Sequence, residues 1–326
     1  MSQQEIASRL KVSRSLIAYY LQQARDTGIV RIQIIKPEST CRQLVASLKR
    51  ATGVKHICVT PNPRGSSTLS LRAVAGAAAR FVADQLDDGD ILGLAWGRTT
   101  TAVVELLGPT RARQISVLPL MGESSHAGLH SQMNRLVMQA AQRLRAKAYF
   151  LSLPMVLSSP SLRDALLKEA GVADVVDRWN KTNVGCVGVG VVPPVPGMIV
   201  YIGEEHLPRL VRAGAVGDVC GIYYDRDGRI IPSGLEDRMI AAGFEQLRAI
   251  PCLVAVACGE EKAAAVLGAL RTGLISALFI DQEMAEQILV LLGVHLEHGK
   301  TWDGPSPKND ISLRSGSGKR RSTRSL

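Results

Sequence analysis

The chain has 326 residues, 46% of them apolar and 21% charged, a balance that supports a sizeable core and excludes wholesale disorder. No run approaches the ~18 apolar residues of a membrane span, and the polar stretch Ser2-Gln3-Gln4-Glu5 predicts no secretory signal. The net charge of +10 sits at the two ends: residues 1–36 hold six basic side chains against two acidic ones, and residues 299–326 hold seven against two. The long middle is therefore near neutral, and the basic ends point to a polyanionic partner.

Length suggests about two domains. The six cysteines, Cys41, Cys58, Cys186, Cys220, Cys252 and Cys258, show no C-x-x-C spacing and no zinc-ligand spacing with the six histidines. Several of the cysteines sit in apolar runs and read as small buried hydrophobes in a reducing cytosol, and neither a metal nor another cofactor is expected.

In chain order, Ser2-x-x-Glu5 has capping-box spacing, and Ile6, Ala7 and Leu10 share one face of the helix that follows. Lys11-Val12-Ser13 is a turn, with Ser13 as the N-cap of a second helix from Arg14 to Asp26. Ile17, Leu21 and Ala24 face inward there, while Ser15, Ala18, Tyr19 and Gln22 face out. Gly28 stops this helix, and Ile29–Ile34 alternates as a strand. Two helices, a three-residue turn and a strand make a helix-turn-helix with a wing, over residues 1–36. Its second helix would enter the DNA major groove by its first turns, through Ser13, Arg14, Ser15, Ala18 and Tyr19. The competing reading is a plain helical hairpin with a solvated basic face. Lys11 occupies the turn position that glycine usually fills, at a cost of about 1 kcal/mol.

Pro37–Thr40 reads as a linker and Cys41–Ala51 as a connecting helix, with residues 54–298 as the second domain. That domain alternates apolar strands with helices. The predicted strands are His56–Val59, Ile91–Ala95, Ile115–Leu120, Ala148–Leu153, Val184–Gly190, Gly217–Asp225, Cys252–Cys258 and Ala277–Ile280. The helices between them cover Thr68–Leu86, the turns after Ala102, Gln132–Lys147, Leu162–Ala170, Glu204–Ala213, the run up to Arg271, and the run up to Leu292. The fold class is α/β, with a doubly wound and mainly parallel sheet. Residues 299–326, rich in Gly, Ser, Pro, Lys and Arg, are expected to be a disordered basic tail that adds nonspecific phosphate attraction.

In such sheets ligands lie beyond the carboxyl ends of the strands. The most informative stretch there is Trp96-Gly97-Arg98-Thr99-Thr100-Thr101, between an apolar strand and a helix whose Val103, Val104, Leu106 and Leu107 cluster on one face. A helix N-terminus offers free N–H groups and a positive dipole end to an anion. Gly97 admits a phosphate closely, Arg98 adds charge, and the threonines add hydroxyls and an N-cap. A routine Thr-capped turn is the alternative, and the stretch is neither a P-loop nor Gly-x-Gly-x-x-Gly. Met121-Gly122-Glu123-Ser124-Ser125 is a second glycine- and serine-bearing turn, and Lys262 and Asp281 fall at two further strand ends. Asp218 starts its predicted strand, which suggests an antiparallel or inserted strand facing the same crevice.

Gln3-Gln4-Glu5-Ile6-Ala7, Val12-Ser13-Arg14-Ser15 and Gly28-Ile29-Val30-Arg31-Ile32 resemble the DNA-binding domain of the SorC family of bacterial sugar-responsive transcriptional regulators. The resemblance continues through Gly93–Thr99, Pro119–Gly122, Gly188–Gly190, Gly214–Gly221 with Asp225 and Gly228, Ala257–Lys262 and Asp281, up to about residue 292. It implies a homotetrameric repressor or activator, with a C-terminal domain like the ribose-phosphate isomerase and glucosamine-phosphate deaminase fold that has lost catalysis. It implies a phosphorylated sugar or similar polyol as effector. Gly97, Arg98, Thr99 and Thr100 would cradle phosphate, Gly122 would shape a second wall, Asp218 would bind sugar hydroxyls, and Lys262 would bind a phosphate or polar end. The family pattern also has a helix ahead of Gln3 that completes the DNA-binding domain's core and is missing from this sequence, and the basic tail lies outside that pattern. The alternative function is a sugar-phosphate isomerase or deaminase fused to a DNA-binding segment, with Asp218, Asp225 or Asp281 as acid or base. No paired carboxylates or nucleophile–base spacing supports it.

Overall fold

The computed structural model describes residues 3–26, 39–62, 66–124, 132–193 and 206–294. The expected capping role of Ser2, the wing at Ile29–Ile34 with its Gly28 stop, the start of the linker at Pro37, Ser125 and the tail 299–326 lie outside the described residues.

Helices α1 (Gln3–Leu10) and α2 (Arg14–Asp26) cover the two predicted N-terminal helices and pack on each other. Lys11 takes the left-handed conformation the turn requires, with φ 54°. The Ser13 hydroxyl accepts the Leu16 N–H at 3.1 Å, so Ser13 caps α2 as expected. Ala7 and Ile17 are buried, but Leu10, expected on the same face as Ala7, is 61% exposed. It lies in the last turn of α1, beside the reversal at Lys11, where the chain leaves the contact with α2.

Helix α3 (Ser39–Thr52) begins two residues before the predicted Cys41 and buries Leu44 and Leu48. The main sheet then assembles from β1 (His56–Thr60), β2 (Ile91–Leu94), β3 (Ser116–Pro119), β4 (Lys147–Ala148), β5 (Val184–Gly188), β10 (Cys252–Val256) and β11 (Ala277–Asp281). Its order is β1-β11-β10-β5-β2-β3-β4, and every pairing is parallel. Helices α4 (Ser67–Gln85), α5 (Arg98–Leu106) and α6 (Met133–Leu144) pack in sequence, α4 on α5 and α5 on α6. Helix α3 packs with α11 (Ala263–Arg271) and α12 (Gln282–Leu291) in a second layer, α12 touching both. Right-handed crossovers running both ways from the centre require these two layers to lie on opposite faces. The strands between them are accordingly apolar throughout: Leu92, Leu94, Val117, Leu118, Val254, Val256, Leu278 and Ile280 are essentially inaccessible.

A second, antiparallel sheet has the order β6 (Gly190–Val191), β7 (Ala215–Val219), β8 (Ile222–Asp225), β9 (Ile230–Ile231). It packs on α11 through β7 and β8. This sheet corrects two predicted strands. The run Val184–Gly190 divides at Val189: β5 stays in the main sheet, while Gly190 pairs with Asp218 in the small one. The run Gly217–Asp225 is a hairpin rather than one strand. Cys220 and Gly221, at φ 53° and 81°, supply the two positive-φ residues of a tight reversal. Asp218 therefore lies near the end of β7, not at the start of a strand, although the expected antiparallel setting is found.

Two further differences concern helices and length. The predicted strand Ala148–Leu153 shrinks to β4: the Tyr149 N–H still donates to the Val117 carbonyl at 2.8 Å, the chain then leaves the sheet edge, and the Lys147 and Arg178 cations lie 4.7 and 4.1 Å from the Tyr149 ring centre. Helix α8 (Ala170–Trp179) was not predicted; it follows α7 (Pro160–Leu166) and buries Val175 and Trp179. No helix among the described residues is long and apolar enough to cross a membrane.

Candidate functional site

The chain reverses its direction of winding between β2 and β5: β2 leads toward β3 and β4, while β5 leads toward β10 and β11. A crevice at the carboxyl ends follows from that reversal. Thr99 stands at it, because a Cβ at Gly188, the last residue of β5, would lie 3.1 Å from Thr99 Oγ1. Glycine at 188 leaves that hydroxyl its space.

Gly97 is the N-cap of α5, with φ 145° and ψ 161°, a conformation that L side chains rarely adopt. The expected threonine cap is absent. Thr100 and Thr101 instead donate their hydroxyls to the Gly97 carbonyl at 3.0 and 2.8 Å, and Thr100 is fully buried. The first intrahelical bond runs from Thr101 N–H to Gly97 C=O. The N–H groups of Arg98, Thr99 and Thr100 are thus left without intrahelical partners and, among the described residues, without a side-chain cap. At two other helices a carboxylate supplies the acceptor: Glu123 takes the Met133 and Asn134 N–H groups at the start of α6, and Asp281 takes that of Met284 at the start of α12. Arg98 is exposed above the open end of α5.

Arg98 and Thr99 line a cleft of about 330 Å³. Its other walls are Asn62 and the start of α4 (Ser66, Ser67, Thr68, Ser70, Leu71), then Cys258, Gly259 and Glu261 after β10, and Asp281 and Glu283 after β11. Asp281 also accepts the Gly259 N–H at 2.9 Å, so both of its oxygens hold the loops together. Burial pushes the Cys258 thiol up to about 12, and Asp281 adds to the effect.

Lys262 is 6% exposed and donates to the Val189 carbonyl at 3.2 Å. Burial, and then the nearby positive charge of Arg98, lower its pKa; Glu261, Cys258 and Asp218 act the other way. The two cations expected at separate strand ends are thus neighbours. Asp218 is buried, and its Oδ2 accepts the Gly221 N–H at 3.0 Å across the hairpin. Burial first, and Asp218 second, raise the Cys220 thiol and the Tyr224 phenol. Asp218 and Lys262 belong to one buried charge cluster behind the cleft, and neither forms part of its lining. Gly122 is fixed by packing: a Cβ there would strike the backbone of Leu153–Met155, and its carbonyl accepts the Trp96 indole N–H at 3.2 Å. Asn62, Ser66–Thr68, Ser70, Cys258, Glu261 and Glu283 were not singled out from sequence. The run Ser66-Ser67-Thr68 ahead of a long helix was the available signal.

At the N-terminal helices, Ser13, Arg14, Ser15, Ala18 and Tyr19 are all exposed, and the Tyr19 ring meets that of Tyr20 at 5.8 Å. Among the described residues no His, Cys, Asp and Glu group could hold a metal ion.

Residues 36–290 match the sugar-binding domain family Sugar-bind. The sorbitol operon regulator of Klebsiella pneumoniae is 29% identical over 294 residues, covering 89% of this chain and 93% of the regulator. The deoxyribonucleoside regulator of Bacillus subtilis is 26% identical over 292 residues, covering 88% and 92%. The crystal structure of the full-length Klebsiella regulator SorC superimposes with a TM-score of 0.78 at 28% identity, over 90% of this chain and 94% of that one. The chain belongs to the sugar-binding domain family and, with it, to the SorC family of bacterial sugar-responsive transcriptional regulators.

Proposed function

We propose that this protein is a DNA-binding transcriptional regulator whose operator affinity is set by a small phosphorylated sugar or related polyol. The observation that carries the reading is the N-terminus of α5, whose first three N–H groups have no acceptor among the described residues, with the exposed Arg98 at its first position. A phosphate oxygen is the partner such an end favours, at a gain of roughly 1.5–3 kcal/mol for a charge-assisted bond. Gly97, Arg98, Thr99 and Thr100 form the cradle in this reading, Thr100 through its N–H because its hydroxyl is engaged. Lys262 neutralises the anion from below, Asp218 receives sugar hydroxyls, and Gly122 sets the far wall.

Residues 1–36 act as a helix-turn-helix that reads DNA through Ser13, Arg14, Ser15, Ala18 and Tyr19, and residues 54–298 act as the effector domain, joined to it by 37–53. A regulator of this kind works in the cytoplasm, and a homotetramer presents paired reading heads to paired half-sites. The basic residues 299–326 add nonspecific attraction to phosphates. An isomerase or deaminase reading has no support in the geometry: Asp281 spends both oxygens on backbone N–H groups, and Asp225 accepts those of Asp227 and Arg229. Gel-shift titration of the neighbouring promoter DNA with and without candidate sugar phosphates tests the reading. A phosphate-dependent change in DNA affinity supports it, and turnover of the sugar phosphate would replace it with the enzymatic one.

A further inference from the structure

Tyr224, on β8, is fully buried, and its hydroxyl has no hydrogen-bond partner among the described residues. Burial, and then the charge of Asp218, raise the phenol well above its ordinary pKa, so it stays a donor. The ring lies against α11 at Gly268, where a Cβ would stand 2.9 Å from the Tyr224 Cδ2. The hydroxyl reaches to Gly217 on β7. The point a Cβ would occupy there is 3.0 Å from the phenol oxygen, 2.6 Å from the Gly190 carbonyl oxygen and 2.7 Å from the Ala265 Cβ. The unpartnered donor thus ends beside Gly190, the first residue of β6.

Val189, the residue before it, is 3% exposed, and its carbonyl accepts from Lys262, the N-cap of α11. A buried donor without an acceptor is costly, and so is a buried carbonyl whose donor leaves. If Lys262 turned away, both costs would fall on adjoining groups, and one hydrogen bond would answer both. We infer that Tyr224 and Lys262 exchange places at the crossing between the two sheets: when the ammonium turns from Val189 to a bound anion, the Tyr224 hydroxyl donates to the Val189–Gly190 backbone and holds β6 in its new position. The inference rests on the reading of Lys262 as a ligand contact for its trigger, but not for the exchange itself. Glycine at 217 and 268 brings β6, β8 and α11 so close that a small shift suffices. Tyr224 is a positioning residue in this scheme. It gives the ligand-bound arrangement of the small sheet a bond that the free arrangement lacks, which is the differential a two-state response requires.

The test is a double-mutant cycle on the full chain with Tyr224→Phe, Lys262→Met and the double variant, read by denaturant unfolding without ligand. Tyr224→Phe keeps the ring on Gly268 and removes the hydroxyl alone. In the wild-type background it leaves the midpoint unchanged or raises it, because the group removed has no partner. Lys262→Met frees the Val189 carbonyl, so in that background the hydroxyl is bonded and its removal lowers the folding equilibrium constant about fivefold. Additive effects in the cycle, or a Tyr224→Phe that destabilises wild type, overturn the inference. The second measurement is calorimetry of wild type and Tyr224→Phe with inorganic phosphate and with glucitol 6-phosphate. Tyr224→Phe weakens each probe that wild type binds by about the same fivefold. Equal affinity in the two proteins overturns the inference, and decides the matter where Lys262→Met does not fold. A non-additive cycle with neither probe bound by wild type leaves the exchange standing and overturns the phosphate reading. An additive cycle with a probe bound by wild type leaves the phosphate reading standing and overturns the exchange.

Discussion

The Lys262 ammonium donates to the Val189 carbonyl at 3.2 Å, which ties the loop after β10 to the point where the chain crosses from the main sheet into the small one. A ligand that draws on Lys262 therefore acts on the junction between the two sheets. That junction is a physical route by which cleft occupancy can change the remainder of the molecule, provided the ligand prefers one of two states.

The same lysine predicts a pH dependence. Burial and Arg98 hold its pKa below the ordinary 10.5, so the free protein carries a partly neutral Lys262 at a lower pH than an unfolded chain does. Between the depressed value and 10.5 the unfolded state binds more protons, and folding stability contributed by this group rises with pH. An anionic ligand favours the charged form and takes up a proton on binding. Affinity therefore falls as pH climbs through the depressed pKa, and calorimetry in two buffers of different ionisation enthalpy reads the proton uptake. Lys262→Met removes the uptake. Proton-neutral binding in the alkaline range by wild type contradicts the assignment.

Gly97→Ala places a Cβ at φ 145°, a conformation that costs a side chain about 1–3 kcal/mol. The variant unfolds at lower denaturant and binds phosphate ligands more weakly, because the N–H groups that follow are displaced. An unchanged midpoint shows that the loop relaxes at no cost.

Lys11→Gly relieves the left-handed turn between α1 and α2 by about 1 kcal/mol. Amide exchange of α1 and α2 slows in the variant. Identical exchange means that Lys11 carries no strain.

Arg14→Ala and Tyr19→Ala remove exposed side chains, Tyr19 being 56% exposed, and leave the fold intact. Both lose operator binding in gel shifts while their circular dichroism is that of wild type. Unaltered DNA affinity in both takes this face out of the groove.

The parallel sheet was legible because its strands are short, apolar on both faces and separated by amphipathic helices. The α5 stretch was legible for the same reason, as an apolar strand, a glycine and a helical pattern occur in succession. The β7–β8 hairpin was not, because Cys220 and Gly221 turn the chain between Val219 and Ile222 with neither Asn nor Asp at the two turn positions. Ser70 was not singled out because its meaning depends on neighbours such as Glu261 and Asp281, some 200 residues distant. Nor could the sequence tell that Thr100 turns its hydroxyl onto Gly97, since free and self-capped threonines share one spelling.

The central claim is that the open N-terminus of α5, with Arg98 and Lys262 beside it, makes the ligand anionic. Calorimetry of wild type and Lys262→Ala against matched pairs of a sugar and its phosphate tests it most directly. The account predicts that the phosphate binds wild type at least ~10-fold more tightly than its parent, a difference of about 1.4 kcal/mol, and that Lys262→Ala narrows the gap. Equal affinity for the two members of each pair contradicts it and leaves a sensor of neutral polyols.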